Sequence, residues 1–243
     1  MAKVNILGVS VDNLGYNEAL ERVENFIADG RKHYIVTPNP EQVMYAQNQL
    51  NFKKILNEAD LAICDGVGLL WASRFLGKPL KERVSGVDLM EKICAKAAQK
   101  GWKIGLLGST GETAKKAEDA LKLSYSGLKV EFAEAGDPGK MFDRKIRGKI
   151  PKLDVLFVAY GAPKQEEWIE RNLGEINVKA AMACGGAFDF IVGRKKRAPK
   201  ILRNTCFEWL WRLVWEPWRI KRQMAIPAFM MRVVWEKILN SKL

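Results

Sequence analysis

Short blocks of consecutive apolar residues alternate along this chain with segments whose apolar positions recur every three or four residues. That alternation predicts a parallel sheet covered by helices. An apolar stretch at Val4–Val11 reads as a first strand, followed through Asp12-Asn13 by a helix starting near Asn17 with Ala19, Leu20, Val23 and Phe26-Ile27 inward. A second strand at Tyr34–Thr37 runs into Pro38-Asn39-Pro40 and a helix from about Glu41, since proline is tolerated in a first helical turn. Leu61–Cys64 leads into Asp65-Gly66-Val67-Gly68, and Lys103–Leu107 into Gly108-Ser109-Thr110-Gly111. Val155–Ala159 leads into Tyr160-Gly161-Ala162-Pro163 and a helix through Trp168, and Ala180–Ala183 into Cys184-Gly185-Gly186-Ala187. Five strands thus end in loops of Gly, Pro, Asn or Asp. In open α/β sheets ligands bind at the carboxyl ends of the strands, so one edge of the sheet is the expected site. For any single loop, a tight turn explains the glycines equally well.

The pattern breaks near Gly193. From Arg194 to Leu243 there are thirteen Lys or Arg against three Glu, a surplus of ten out of a formal net charge of +12 for the 243-residue chain. The same stretch holds Trp209, Trp211, Trp215, Trp218 and Trp235, five of the eight tryptophans. Residues 1–193 therefore read as a nearly neutral α/β body and 194–243 as a basic, tryptophan-rich helical appendage. Cations and indoles on helices suit an anionic lipid surface. Arg212, Arg219 and Arg222 fall on one face if a helix runs through Pro217, beside Phe207, Leu210, Trp211 and Val214. Core packing is the usual meaning of aromatics at helical spacing, but a core has little use for so much positive charge. A basic face with aromatics is also a nucleic-acid footprint, which makes a non-catalytic nucleic-acid-binding module the rival class.

Other classes are narrowed by composition. No run approaches the ~20 apolar residues that span a bilayer, and Met1 opens no secretory signal, so a cytoplasmic protein held peripherally at the inner face of the cell membrane is expected. Cys64, Cys94, Cys184 and Cys206 form no Cys-x-x-Cys pair, and His33 is the one histidine. A multi-histidine metal centre is excluded and a Ser-His-Asp triad disfavoured; His33 is expected at a strand edge without a role. No Asp-x-Asp pair offers a divalent ion its ligands, so neither metal nor cofactor is expected, and leaving-group charge would fall to Arg, Lys and helix amides.

Candidate chemistry lies in the loops. Asp65, between a buried strand and two glycines, would point into the cleft, where a carboxylate can take a proton from an attacking hydroxyl; an ordinary Asp-Gly turn is the alternative. Thr37 and Asn39 suit a sugar, and Arg83 an anion. Gly108 and Ser109 resemble a phosphate cradle without a Walker lysine. Gly161, Lys164, Gln165 and Glu166 bring a helix start, a cation and an amide together, as a diphosphate and a base or sugar require; a capped turn with Lys164 in solvent explains the segment as well.

Several segments fit one pattern in order: Thr37-Pro38-Asn39-Pro40-Glu41, Asp65-Gly66-Val67-Gly68, Gly105-Leu106-Leu107-Gly108-Ser109, Gly161-Ala162-Pro163-Lys164-Gln165-Glu166, and Gly185-Gly186-Ala187-Phe188-Asp189-Phe190 before Lys196-Arg197-Ala198-Pro199. Glu208-Trp209-Leu210-Trp211-Arg212 and Glu216-Pro217-Trp218-Arg219 extend it into the appendage. Along essentially its whole length the chain resembles the WecG/TagA/CpsF family of bacterial glycosyltransferases. The resemblance implies a Rossmann-like fold and an inverting, metal-independent transfer of N-acetylmannosamine from a UDP-sugar donor. The acceptor it implies is the GlcNAc of an undecaprenyl-diphosphate-linked substrate, in wall teichoic acid linkage-unit synthesis. It implies Asp65 as general base on the acceptor 4-hydroxyl, Thr37 and Asn39 at the sugar, and Arg83 and Gln165 on donor or acceptor. Arg212, Arg219 and Arg222 would fold over the cleft, at least one facing the diphosphate. The same fold with UDP-N-acetylmannosaminuronic acid is the nearer alternative. On this reading the protein meets an anionic membrane surface and no nucleic acid, and off the membrane Met224, Ile226, Phe229 and Met230 suit a homo-oligomeric contact.

Overall fold

The computed structural model describes residues 2–195, 198, 211, 213, 215, 220 and 224–240. Its centre is a six-stranded parallel sheet. In chain order the strands are β3 (His33–Val36), β4 (Leu61–Ala62), β5 (Lys103–Gly108), β6 (Lys129–Glu134), β7 (Leu153–Ala159) and β8 (Val178–Ala183). Across the sheet they stand β4-β3-β8-β7-β5-β6. The inner strands are apolar on both faces because helices cover both.

On one face pack α1 (Tyr16–Ala28), α5 (Gly86–Lys100), α6 (Thr113–Ser124) and α9 (Ala187–Ile191). In α1 the buried Ala19, Val23, Phe26 and Ile27 keep the helical spacing expected of them, and the Glu18 carboxylate accepts from the Gly15 N–H to close its first turn. The other face carries α7 (Asp143–Arg147) and α8 (Lys164–Asn172), with Trp168 fully buried. Beside them lie α2 (Pro40–Asn48), α3 (Leu50–Glu58) and α4 (Val67–Phe75).

Some elements depart from the apolar pattern. Val4–Val11 is not one strand of the main sheet but a hairpin, β1 (Lys3–Ile6) and β2 (Val9–Asp12), paired antiparallel with Ile6 opposite Val9. Leu7 and Gly8, both at positive φ, make its turn, which periodicity alone does not reveal. Buried Asp12 ties the hairpin to the sheet, its carboxylate accepting from the Ala62 N–H at 2.8 Å. The helix expected from Glu41 is broken at Gln49, whose backbone leaves the helical region. The edge strand β6 escapes a search for apolar runs because only alternate residues, Val130 and Phe132, are buried.

His33 is likewise more than a strand-edge residue. It is buried at the amino end of β3, stacked on Phe26, with Nε2 and Nδ1 each 3.0 Å from a carboxylate oxygen, of Asp29 and Asp60 respectively. It thus stitches α1 to the entry of β4 at the sheet edge opposite the candidate site.

The last helix, α10 (Ala225–Asn240), docks against α2 and α4. Phe229 and Val233, one turn apart, are fully buried in the cluster that also holds Val4, Val11, Val43 and Leu69. Met231, Val234, Trp235 and Ile238 form an exposed apolar stripe on the same helix. Among the described residues no helix is long and apolar enough to cross a membrane.

Candidate active site

Because all six strands are parallel, their carboxyl ends share one edge, and β4, β3, β8, β7 and β5 deliver the five predicted loops to it in that order. At the ~4.8 Å spacing of neighbouring strands this row runs roughly 19 Å from the Asp65 loop to the Ser109 loop. Backbone bonds carry the pairing past the strands: Asp65 N–H to Pro38 O at 3.0 Å, Cys184 N–H to Val158 O at 3.0 Å and Ser109 N–H to Ala159 O at 2.9 Å.

At the β4 end, the chain before α5 returns alongside, Val84 N–H bonding to Cys64 O at 2.9 Å. That return brings Arg83 to Asp65, with Nη2 3.4 Å from Oδ1 and both side chains largely but not wholly buried. Thr37, just past the end of β3, and Asp65 both face Gly86 at the start of α5: a Cβ built there would lie 3.1 Å from Thr37 Cγ2 and 3.5 Å from Asp65 Oδ2. The Tyr16 hydroxyl reinforces this corner, accepting from Ser85 N–H at 2.9 Å and lying 3.2 Å from Asp88 Oδ2. Burial pushes its phenol well above the ordinary range, so Tyr16 stays protonated. Nothing in the local pattern around Tyr16 singles it out, because its partners are remote in sequence.

At the β5 end Ser109 has left-handed backbone, φ 65°, and its hydroxyl reaches Asp189 Oδ1 at 3.4 Å. Asp189, on α9, also holds Lys195 Nζ at 3.0 Å. Arg194 donates to Thr113 Oγ1 at 2.7 Å, and Thr110, Glu112, Thr113, Lys116 and Arg194 line an open recess of about 560 Å³. Asp189 belongs to the Gly185–Phe190 motif, yet its place between Ser109 and the basic residues only emerges when β5 and β8 reach the same edge.

In the middle of the row, Asn39 caps α2, its Oδ1 accepting from Gln42 N–H at 3.0 Å. Lys164, first residue of α8, is exposed, while Gln165 and Glu166 turn inward, 1% and 0% exposed. Gln165 Oε1 accepts from Gly161 N–H at 3.1 Å and Gly185 N–H at 2.9 Å, joining the β7 and β8 loops. Its Nε2 donates to Glu166 Oε1 at 2.9 Å, and Gln42 Nε2 donates to the same oxygen at 2.8 Å. Burial, outweighing these bonds, raises the Glu166 carboxyl to about 7.

The edge therefore brings together Thr37, Asp65 and Arg83 at one end, Asn39, Gly161, Gln165 and Glu166 in the middle, and Gly108 and Ser109 at the other. Arg212, Arg219 and Arg222 lie outside the described residues. Among the described residues no three His, Cys, Asp or Glu side chains are grouped as a metal would need. Chemically, the edge offers a carboxylate beside a guanidinium at one end and hydroxyls with cations at the other.

The profile described as the glycosyl transferase WecG/TagA/CpsF family matches residues 4–243. Curated relatives include proteins of Staphylococcus aureus strains MRSA252 and NCTC 8325, each named N-acetylglucosaminyldiphosphoundecaprenol N-acetyl-beta-D-mannosaminyltransferase. This chain is 36% identical to each over 236 residues, covering 96% of itself and 92% of theirs.

Proposed function

The chain belongs to the WecG/TagA/CpsF glycosyl transferase family, and from that premise we propose that it moves N-acetylmannosamine from UDP to the GlcNAc of a polyprenyl-diphosphate-linked acceptor. The observation that carries the proposal is Asp65 at a strand end, beside Thr37 and Arg83. In this reading the Asp65 carboxylate removes the proton from the acceptor 4-hydroxyl as that oxygen attacks the anomeric carbon. The new C–O bond forms on the face opposite the departing diphosphate, the old bond to the phosphate oxygen breaks, and configuration inverts. Arg83 orients Asp65 and the sugar. The negative charge gathered on the UDP leaving group is met by the cationic end of the row, Lys116 and Arg194, and by Arg212, Arg219 and Arg222 of the appendage, without a metal.

An acceptor with a polyprenyl chain stays in the bilayer, so the enzyme has to go to it. The exposed stripe of α10, Met231, Val234, Trp235 and Ile238, together with the basic tail, supports peripheral attachment to the anionic inner leaflet.

Asp65→Asn keeps the shape and removes the proton acceptor. Turnover of UDP-N-acetylmannosamine on a lipid-linked GlcNAc acceptor is expected to fall about 10²–10⁴-fold while affinity for the UDP-sugar is retained. Near-normal turnover in that variant would reject Asp65 as the base, and transfer from UDP-N-acetylmannosaminuronic acid in preference would reassign the donor.

A further inference from the structure

Glu166 is fully buried in the first turn of α8, next to the loop at the candidate site, and the chemistry of transfer does not use it. Its Oε1 is the shared acceptor of two amides, from Gln42 on α2 and Gln165 on α8. Among the described residues its Oε2 has no partner, and no cation pairs with it. An amide group has a donor end and an acceptor end, so fixing one fixes the other. By taking the Gln165 NH₂, Glu166 turns Gln165 Oε1 toward the Gly161 and Gly185 N–H groups. By taking the Gln42 NH₂, it also anchors the first turn of α2, capped by Asn39. Three of the five edge loops hang on one carboxyl oxygen.

We propose that Glu166 is a positioning residue: its neutral carboxyl holds the Gln165 and Gln42 amides so that the β3, β7 and β8 loops are set for an anionic donor, and ionisation of Glu166 weakens donor binding. The proposal rests on the reading of this edge as the UDP-sugar site. The physical reason is charge in a dry place. A carboxylate two hydrogen bonds beneath the Gly161 and Gly185 loops, with no cation to offset it, repels a diphosphate lying above them. Hydrogen bonds from the two amides offset part of the burial cost, but no cation stands among the described groups around it. Gln42 from α2 and Gln165 from α8 are neutral, Glu167 on α8 is itself acidic, and the Cys184 thiol at the end of β8 is kept protonated by burial. The carboxyl is raised to about 7, so it changes state in the physiological range. The sign follows: the neutral form dominates below that value, and the disfavoured ionised form accumulates as pH rises through it.

The probe is UDP-N-acetylmannosamine, whose diphosphate is esterified at both ends and does not titrate near neutrality. Calorimetric affinity of the full chain is expected to weaken about tenfold between about pH 6 and about pH 8, the change that one ionisation near 7 produces. Glu166→Gln keeps an acceptor oxygen and cannot ionise, so it should bind as tightly at the higher pH as at the lower. Glu166→Leu, with no acceptor, should bind weakly throughout. Amide hydrogen exchange at Gly161 and Gly185 supplies an arm that needs no donor: protection is expected to survive in Glu166→Gln and to fall in Glu166→Leu. The proposal is overturned if Glu166→Gln retains the wild-type pH dependence, or if Glu166→Leu leaves both glycine amides protected. Absence of UDP-sugar binding by the wild-type chain at every pH would instead reject the donor-site reading, with the exchange arm still deciding the positioning role.

Discussion

Gly108 ends β5 at φ 115°, and a Cβ there would sit 2.7 Å from the carbonyl carbon of Ala159 on the neighbouring strand. Backbone fills that space, so nothing can swing aside. Gly108→Ala is expected to cost about 1–3 kcal/mol, read from a denaturant midpoint, and to move Ser109 away from Asp189. The sequence shows a glycine after a buried strand, but its reason, the approach of β7, is a fact about sheet order. The place of Asp65 and Thr37 at the carboxyl edge of the sheet is legible because each directly follows a short apolar run. The run Lys164-Gln165-Glu166 was harder. Each helical residue turns ~100° from the last, and at a helix start there is too little pattern to tell which of three polar side chains face in. Lys164 faces out, while Gln165 and Glu166 face in, where they tie loops together.

Among the elements, α10 has two apolar faces with different tasks. Phe229 and Val233 fill the core, whereas Met231, Trp235 and Ile238 face solvent. The two can be separated by substitution. Phe229→Ala is expected to lower stability by roughly 3–5 kcal/mol, the usual cost of emptying a buried aromatic site. Trp235→Ala should leave the unfolding midpoint within about 0.5 kcal/mol of wild type and reduce binding to anionic vesicles. Equal losses of stability in both variants would show that the exposed stripe has a packing role instead. Composition made the appendage conspicuous, yet its hydrophobic positions could not be sorted into inward and outward, since both kinds of face are apolar. The two strands of the hairpin look like one in sequence, because their apolar residues run on without a polar break at Leu7-Gly8.

Taken as a whole, the chain is asymmetric in charge, with the surplus gathered from Arg194 onward and a nearly neutral stretch before it. The parallel sheet and most of its covering helices follow from alternating apolar blocks. Arg212, Arg219 and Arg222 lie outside the described residues. The full chain is expected to sediment with phosphatidylglycerol vesicles at about 0.15 M salt and to remain free with phosphatidylcholine vesicles. Raising salt to about 1 M should weaken attachment only in part, since the indole and aliphatic contacts are not screened. Complete release would mean that charge alone holds the protein to lipid.

The shared burial of Phe229 and Val233 with Val4 and Val11 has a consequence for biogenesis. The β1–β2 hairpin precedes α10 in the chain and lacks these packing partners until α10 has been made. Until then the apolar cluster around the hairpin is short of Phe229 and Val233, and the nascent chain offers a chaperone a patch that closes only once α10 follows. A stop codon placed between Gly193 and Ala225 would leave that patch open for good.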